Sequence, residues 1–253
     1  MEDVDKKLVS SFENGVLTLR IDNQKKRNSL TGSMLKKLIQ TLNDALKNDE
    51  VKVIYFTSTG EMFSSGNDFN NFSECSMDQM IENFEKFVEY LITYPKVIIA
   101  GVNGPAIGIT FTMLFLFDFV LCSDTAFFTA PFMQTYQTPE GCSSLTFPLL
   151  LGKSMASHLL INGGVMTATE AKNLGFVTSV YEKEFFEKDS YDYATKVAKY
   201  PLKNLMKIKS MINKNFNEKL IAVNKEECKD LRASWNQKEF QNIIRKFVKN
   251  PKF

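Results

Sequence analysis

The stretch that decides the fold is residues 51–69, which read VKVIYFTSTGEMFSSGNDF. Its first part, Val51 to Ser58, is a continuous β-branched and apolar run, as expected of a parallel strand buried on both faces. A glycine-containing loop, Phe63 to Phe69, follows at the carboxyl end of this strand. Open α/β sheets place their ligand sites at that edge. The stretch therefore predicts a buried strand that leads into a candidate binding loop.

Strand and helix patterns alternate on both sides of this stretch. Upstream, Leu8 to Phe12 and Val16 to Ile21 predict a hairpin, because Asn14-Gly15 readily takes the positive φ angles of a tight turn. Alternation of this kind predicts an α/β fold of parallel units, covered on both faces. The alternating segments are helices at about 31–47, 77–93 and 108–117 and strands at 51–58, 97–102 and 119–123.

The pattern becomes mostly helical after about Lys153. A capping-box spacing at Thr167 and Glu170 begins one helix, and Gly175 stops it. We divide the chain into a core domain at residues 1–195 and a C-terminal helical module at residues 196–253. Amphipathic segments in this part, such as 202–212 and 240–248, carry more apolar surface than a small helical module buries alone. We expect them to pack on the core or on a neighbouring subunit.

Composition excludes several classes of function. Lys and Arg total 31 against 29 Asp and Glu, a balance that provides no field for binding nucleic acid. The only histidine is His158, and the four cysteines are far apart, so we expect free thiols and no metal site. The most apolar stretch, 111–122, is too short to span a bilayer and contains Asp118. We therefore expect an intracellular soluble protein without a membrane span.

Two glycine turns supply candidate backbone donors. The first is Ser64-Ser65-Gly66-Asn67-Asp68, and the second is residues 102–110, VNGPAIGIT, in which Gly108 opens a helix whose first N–H groups lack intrahelical partners. Two such N–H groups aimed at one thioester oxygen would stabilise an enolate, and losing one donor typically costs on the order of 3 kcal/mol in the barrier. Taken alone, each turn is more typical of an ordinary strand-to-helix connection.

Glu140 is the candidate acid–base residue. It lies in the segment Thr138-Pro139-Glu140-Gly141-Cys142, just before an apolar helix at about 145–150. One interpretation is a helix-start carboxylate that interacts favourably with the macrodipole, and Glu140 considered alone favours it. The other is a general base, whose pKa is raised by apolar neighbours such as Phe132 and Phe147. The two glycine turns support the second interpretation.

In this order, the three motifs resemble the crotonase, or enoyl-CoA hydratase/isomerase, superfamily from about residue 8 to the C-terminus. The combination of SSGND at 64–68, NGPAIG at 103–108 and PEGCSS at 139–144 looks like the peroxisomal-type Δ3,Δ2-enoyl-CoA isomerases. Residues 222–228, AVNKEEC, also resemble the C-terminal part of that subgroup. The resemblance implies a crotonase-like α/β fold of stacked ββα units with a helical C-terminal module.

The resemblance also implies a role for each matching residue. Glu140 matches the isomerase base, and the N–H groups of Asn67 and Ile109 match the oxyanion hole. The basic residues near the adenine and phosphate end of coenzyme A would be Lys25, Lys26 and Arg27, although these are also typical of a solvated turn with ordinary surface charges. The residues that would line the acyl-thioester and pantetheine path are Ser65, Gly66, Asn67, Asp68 and Phe69.

Two positions distinguish this chain from a hydratase. The hydratases of the superfamily use two glutamates to add water, and the matching positions here are Thr112 and Phe132. Water addition needs one group to activate water and another to deliver a proton, so one carboxylate is better suited to moving a proton between two carbons. We therefore expect an isomerase that converts 3-enoyl-CoA to trans-2-enoyl-CoA in fatty-acid β-oxidation, with no cofactor beyond the coenzyme A of its substrate. The alternatives are another crotonase reaction, such as hydration or thioester hydrolysis, and an inactive acyl-CoA-binding homologue.

Assembly and location are further expectations from the resemblance. It implies a homotrimer or a hexamer made of two trimers. These isomerases often carry an N-terminal acyl-CoA-binding domain, for which this sequence has no room, so we expect a stand-alone or shortened form. Many also end in a Ser-Lys-Leu type peroxisomal address, of which the ending Pro251-Lys252-Phe253 keeps only the lysine. We therefore expect poor import into the peroxisome and otherwise a cytoplasmic location.

Overall fold

A computed structural model of the chain describes residue 4, residues 7–69 and residues 76–249, with no side chains described for 247–249. The strands among these described residues are β1 (Leu8–Glu13), β2 (Val16–Ile21), β3 (Val53–Ser58), β4 (Val97–Val102), β5 (Ala106–Ile107), β6 (Phe119–Ser123), β7 (Phe127–Thr129), β8 (Val165–Thr167) and β9 (Ser179–Tyr181). The main sheet has the order β1-β2-β3-β4-β6-β9, and β5, β7 and β8 form a second sheet. In the main sheet β1 and β2 are antiparallel and the other neighbours are parallel.

The predicted hairpin is confirmed. Glu13 pairs with Val16 across a two-residue turn. Asn14 and Gly15 in that turn have φ angles of 52° and 77°. Positive φ at both central residues is the requirement of the turn type that matches the natural twist of a hairpin.

The helices of the described chain cover the sheet and extend beyond it. They are α1 (Gly32–Leu46), α2 (Met77–Thr93), α3 (Ile109–Thr112), α4 (Ser143–Leu151), α5 (Lys153–Leu160), α6 (Ala168–Asn173), α7 (Lys183–Ala198), α8 (Leu202–Asn213), α9 (Asn217–Trp235) and α10 (Lys238–Lys249). The predicted alternation is confirmed from β3 to β6, with one difference at 108–117. Gly108 still belongs to the turn before the helix. α3 then completes only one turn and continues as a 3-10 helix at Met113–Leu116, shortly before β6 begins at Phe119.

The central strands β3 and β4 of the main sheet are buried on both faces, as predicted, whereas the edge strand β1 is exposed after Leu8. Every residue of β3 is buried, and alternate residues point to opposite sides. Ile54 and Phe56 join the larger apolar cluster, which includes residues of α1 and α2. Val53 and Tyr55 join a smaller cluster with Ala194 of α7.

The C-terminal third contains two short strands besides the predicted helices. β9 extends the main sheet beside β6, and β8 pairs with β7. The predicted capping box is present, since the Thr167 hydroxyl accepts the N–H of Glu170 at 3.3 Å and the Glu170 carboxylate accepts the N–H of Thr167 at 2.8 Å. α7 runs across position 195, and the division into 1–195 and 196–253 stays a prediction.

The two amphipathic C-terminal segments differ in their packing. α10 packs on the rest of the chain, because Phe240 and Ile244 are buried and the Phe240 ring stacks on Trp235 with centroids 5.3 Å apart. α8 instead exposes large apolar side chains, among them Ile208 and Ile212. In the part of the chain that the structure describes, no helix has the length and apolar character needed to cross a membrane.

Three of the predicted free thiols can be placed. Cys122, Cys142 and Cys228 are buried and unbridged. Cys75 lies outside the described residues. Burial raises the pKa of the Cys122 thiol to about 12, so this group stays protonated at neutral pH.

Candidate active site

A cavity of about 360 Å³ lies between the loop after β3, the β5–α3 turn and the segment 131–140. It brings together residues that are far apart in the sequence, and every predicted site residue contributes to its wall. Their roles at the cavity stay predictions. The nine residues are Lys26, Arg27, Ser65, Gly66, Asn67, Asp68, Phe69, Ile109 and Glu140.

The loop at 64–68 is fixed against the β5 turn by backbone hydrogen bonds. Ser64 N donates to the carbonyl of Pro105 at 3.1 Å, and Ile107 N donates to the carbonyl of Ser64 at 3.0 Å. Gly66 has φ 86°, and a Cβ at this position would lie 2.8 Å from the carbonyl oxygen of Ile107. Only glycine permits both this conformation and this approach.

The same loop is fixed on its other side by the segment 27–30. Ser65 N donates to the Arg27 carbonyl at 3.0 Å, and Asp68 N donates to the Leu30 carbonyl at 2.9 Å. Leu30 N in turn donates to the Gly66 carbonyl at 2.8 Å. The loop is therefore held between two neighbouring segments by main-chain bonds that do not depend on its own side chains.

The two predicted oxyanion-hole residues both line the cavity. Gly108, with φ 60° and ψ −129°, reverses the chain immediately before Ile109, the first residue of α3. Among the described residues, the N–H groups of Asn67 and Ile109 have no hydrogen-bond acceptor. Unpaired donors from two separate turns are what a binding site for one thioester oxygen requires.

Basic side chains lie at the mouth of the cavity. Lys25, Lys26 and Arg27 are exposed and line it. Their turn is anchored by Asn28, whose side-chain amide donates to the carbonyls of Thr59 at 2.8 Å and Met62 at 2.7 Å. The cations are thus carried on a fixed backbone while their side chains remain in solvent.

Glu140 is a buried carboxylate on the opposite wall. It is 2% exposed, and its Oε2 has no hydrogen-bond partner among the described residues. Burial, with a smaller contribution from the nearby Glu227, raises its pKa to about 8. A carboxylate in this state has a high affinity for a proton and still ionises near neutral pH, which suits a general base.

The local structure of Glu140 differs from the helix-start interpretation. α4 begins at Ser143, and the two residues before it, Gly141 and Cys142, have φ angles of 67° and 64°. These left-handed residues turn the chain, so Glu140 does not lie in the first turn of α4. A Cβ on Gly141 would lie 2.6 Å from the hydroxyl of Thr112, which shows how closely this turn packs on α3.

Sequence reasoning missed Glu227, the carboxylate that does bind the start of α4. It projects from α9 and is 6% exposed. Its two oxygens accept the N–H groups of Cys142 at 2.6 Å and Ser144 at 2.8 Å. The available signal was its position between Asn224 and Leu231 on a helical face that is otherwise buried.

The positions that match the hydratase glutamates lie beside the site and carry no acid. Thr112 is fully buried, and its hydroxyl donates to the carbonyl of Ile109 at 3.3 Å. Phe132 is 2% exposed and lines the cavity. Asp68, however, contributes a second carboxyl group to the described wall, so Glu140 is not the only acid at the cavity.

Comparisons with known proteins agree with this geometry. A family model described as enoyl-CoA hydratase/isomerase matches residues 11–253. The rat protein "Enoyl-CoA delta isomerase 2" is 39% identical over 249 residues, which are 96% of this chain and 63% of that protein. The mouse protein "Enoyl-CoA delta isomerase 3, peroxisomal" is 34% identical over 250 residues, which are 96% of this chain and 78% of that protein.

A solved structure supports the same likeness. The crystal structure of an enoyl-CoA hydratase/isomerase from Pseudoalteromonas atlantica T6c superposes with a TM-score of 0.89 at 30% identity. The match covers 96% of this chain and 97% of that one. The chain thus shares the fold of that neighbour over nearly the full length of both. It spans about 63% of the length of the rat relative.

Proposed function

The chain belongs to the enoyl-CoA hydratase/isomerase family, and from this premise we propose that it is a Δ3,Δ2-enoyl-CoA isomerase of fatty-acid β-oxidation. The observation that carries the proposal is Glu140, a buried carboxylate with a pKa raised to about 8, which shares one cavity with the N–H groups of Asn67 and Ile109. The relatives named enoyl-CoA delta isomerase support the same reaction.

In the proposed mechanism, Glu140 removes a proton from C2 of a 3-enoyl-CoA. The electron pair of that C–H bond moves into conjugation with the thioester carbonyl and the 3,4 double bond, giving a dienolate. The N–H groups of Asn67 and Ile109 stabilise the negative oxygen. Glu140 then returns the proton to C4, which leaves the double bond between C2 and C3 and restores the carboxylate. One base serves both steps, so the atoms and charge balance without water or a cofactor.

An isomerase is favoured over a hydratase by the groups around Glu140. Hydration needs a second acid–base residue at the reacting carbons. The two positions where hydratases are expected to carry glutamates are Thr112 and Phe132, and neither side chain exchanges protons. Asp68 is the other acid of the described cavity wall. A test of the mechanism must therefore measure what Asp68 contributes to proton transfer.

We assign the coenzyme A part of the substrate to the mouth of the cavity. Lys25, Lys26 and Arg27 would meet the phosphate groups of coenzyme A, with Ser65 to Phe69 along the pantetheine path. Coenzyme A enters as part of the substrate, and no separate cofactor is proposed.

We propose in addition a homotrimer or hexamer inside the cell. Exposed apolar side chains such as Leu149, Ile208 and Ile212 support association. The name of the mouse relative supports the peroxisome as one location for the activity.

The test is to incubate the purified protein with 3-enoyl-CoA esters of several chain lengths and follow the conjugated product by ultraviolet absorbance. Glu140→Gln keeps the size of the side chain and removes the base, so turnover should fall by about three orders of magnitude. Asp68→Asn should lower turnover far less. A Glu140→Gln rate within a few-fold of wild type, or an equal loss in both variants, contradicts the single-base mechanism.

Product analysis separates the alternatives. A 3-hydroxyacyl-CoA as the main product identifies a hydratase, and free coenzyme A thiol identifies a thioesterase. Tight binding of coenzyme A esters without turnover at any chain length identifies an inactive homologue. The proposed isomerase requires the 2-enoyl-CoA as the main product.

A further inference from the structure

The proposed mechanism gives no role to Glu227, a buried acid beside the site. Glu227 lies on α9, and its carboxylate accepts the N–H groups of Cys142 and Ser144 from behind the Glu140 turn. Within the turn, Ser143 donates to the Glu140 carbonyl through its N–H at 3.2 Å and its hydroxyl at 2.7 Å, but the N-cap residue, Cys142, makes no side-chain cap and is in the left-handed region. An acid from a distant helix thus replaces the local cap that α4 lacks.

The position of Glu227 is fixed from several sides. α9 packs on both α2 and α4. Next to Glu227 on the same buried face, the Asn224 amide donates to the carbonyl of Glu85 at 3.0 Å. The Cys142 thiol donates to the carbonyl of Leu220 at 3.4 Å, a third bond between the turn and α9. A shift of α9 would therefore be transmitted to the backbone that carries Glu140.

On this geometry we propose that Glu227 is a positioning residue of the reaction: it fixes the 140–144 turn through two backbone N–H groups and places a negative charge behind the catalytic base. The inference rests on the proposed isomerase function. Glu227 is not part of the described cavity wall, so it would not touch a substrate bound there. Glu227 would act on the reaction indirectly, by fixing the conformation of Glu140 and by influencing its charge.

The two carboxyl groups do not ionise equally. Burial raises the pKa of Glu227, while hydrogen bonds from the Ser144 side chain and from the N–H groups of Ser144 and Cys142 favour its charged form. Glu140 has no such donors on Oε2 and meets the charge of Glu227, which adds to the effect of burial. Glu227 therefore carries the charge first, and Glu140 keeps its proton to higher pH.

Other titratable groups of the described residues lie near this pair. Burial raises the pKa of the thiols of Cys142 and Cys228, which stay uncharged at neutral pH. Glu226 acts on Glu227, Glu85 from α2 and Arg232 from α9 act on the neighbouring Cys228, and Asp68 lines the same cavity as Glu140. Arg232 is bound to Asp78 at 3.2 Å.

The experiment compares pH–rate profiles of wild type, Glu227→Gln and Glu226→Gln with a 3-enoyl-CoA substrate. Glu226 is the matched control, since it is the adjacent residue and is exposed. Glu227→Gln should move the acid limb of kcat/KM to lower pH by about one unit, because the charge behind Glu140 is gone. Its plateau kcat should fall about tenfold through the loosened turn, with a much smaller change in KM. If the acid limb of kcat/KM lies at the same pH in Glu227→Gln as in wild type, the proposal is wrong.

Two measurements keep the proposal testable if Glu227→Gln does not fold. Glu227→Asp keeps the charge on a shorter side chain, so the limb should stay in place while the plateau falls. In wild-type protein, the carboxyl carbon NMR signal of Glu140 can be followed as a function of pH, and the Glu140→Gln variant assigns this signal. Its chemical shift should show a main step near pH 8, where Glu140 ionises. A smaller step should appear at lower pH, where Glu227 ionises. A single-step titration contradicts the coupling. This NMR measurement needs no turnover, so it separates a failure of this inference from a failure of the isomerase proposal.

Discussion

The two walls of the cavity are built in different ways. The backbone side, which is the loop 64–68 with the turn 106–109, presents main-chain N–H groups and is fixed by main-chain hydrogen bonds. The carboxylate side, which is the turn 138–144 with Glu227, presents one ionisable side chain and is fixed by another. In the proposed mechanism, the first wall would stabilise negative charge on the substrate, and the second would exchange the proton.

The difference shows where each wall is sensitive. Backbone donors keep their strength at any pH, but they depend on conformations that glycine alone adopts without strain. A buried acid tolerates small shifts in backbone angle, but its function depends on the charges and solvent around it. Conformational substitutions should therefore damage the backbone side, and changes of pH or charge should damage the carboxylate side.

The largest effect should come from Gly66→Ala on the backbone side. The added Cβ would lie 2.8 Å from the Ile107 carbonyl at φ 86°, so the loop and the β5 turn must move apart. Misplacing one oxyanion donor lowers kcat by about 100- to 1000-fold. Steady-state kinetics with a 3-enoyl-CoA ester measures this loss.

Gly175→Ala is the matched control for this substitution. Gly175 has φ 76°, with open space around its Cβ position, and lies outside the described cavity wall. It should lose thermal stability from the same backbone strain while keeping kcat. Equal kcat losses in both variants would show that the Gly66 effect is general instability and would remove the argument for an oxyanion donor.

Much of the backbone side could be predicted from sequence because its determinants are local. A continuous apolar strand followed by Gly66, or by Gly108, predicts a turn with free N–H groups at the sheet edge. The Asn14-Gly15 hairpin is predictable for the same reason. β8 and β9 were not predicted, since three residues are too few to show a strand period.

The carboxylate side was predicted only in part. Glu140 could be identified from its motif, but the residue that fixes its turn lies 85 positions from Cys142. No local pattern indicates which helix will meet the start of α4. Cys142 is also left-handed without being glycine, a conformation that sequence propensity does not anticipate. That Asp68 and Glu140 share one cavity likewise depends on how the two walls meet.

The next largest effect should be the pH dependence of turnover. In the proposed mechanism Glu140 accepts the C2 proton only when it is ionised, and its pKa in the free protein is raised to about 8. The kcat/KM should therefore fall tenfold per pH unit below 8, which is about fiftyfold between pH 8 and pH 6. Stopped-flow or initial-rate assays in constant-ionic-strength buffers measure this. A flat profile between pH 6 and pH 8 would mean that Glu140 is already ionised or is not the base.

A moderate effect of opposite sign should appear in the stability of Glu140→Gln. The folded-state pKa of Glu140 is raised, so its stabilising contribution is present below pH 4.5 and is lost as pH rises through 8. Removing the acid should then stabilise the protein at pH 8 by on the order of 3 kcal/mol. This corresponds to a rise in Tm of roughly 5–10 °C, shrinking to a small fraction of that at pH 5. Calorimetry at both pH values tests it, and a Tm difference independent of pH would contradict buried ionisation as its cause.

The smallest effect should come from the cations at the mouth, where the backbone side meets solvent. Lys26 and Arg27 are exposed, and each exposed charge pair contributes about 0.2–1 kcal/mol. Replacing both with Ala should raise KM for the coenzyme A ester about fivefold at low salt and leave kcat within twofold, because the anchored backbone below them is unchanged. The wild-type KM should rise with salt and the variant KM should not. Lys203→Ala is the control, because Lys203 is an exposed cation on α8 that does not line the described cavity. If this variant raises KM equally, the substrate is attracted by the net charge of the protein and not by the cations at the mouth.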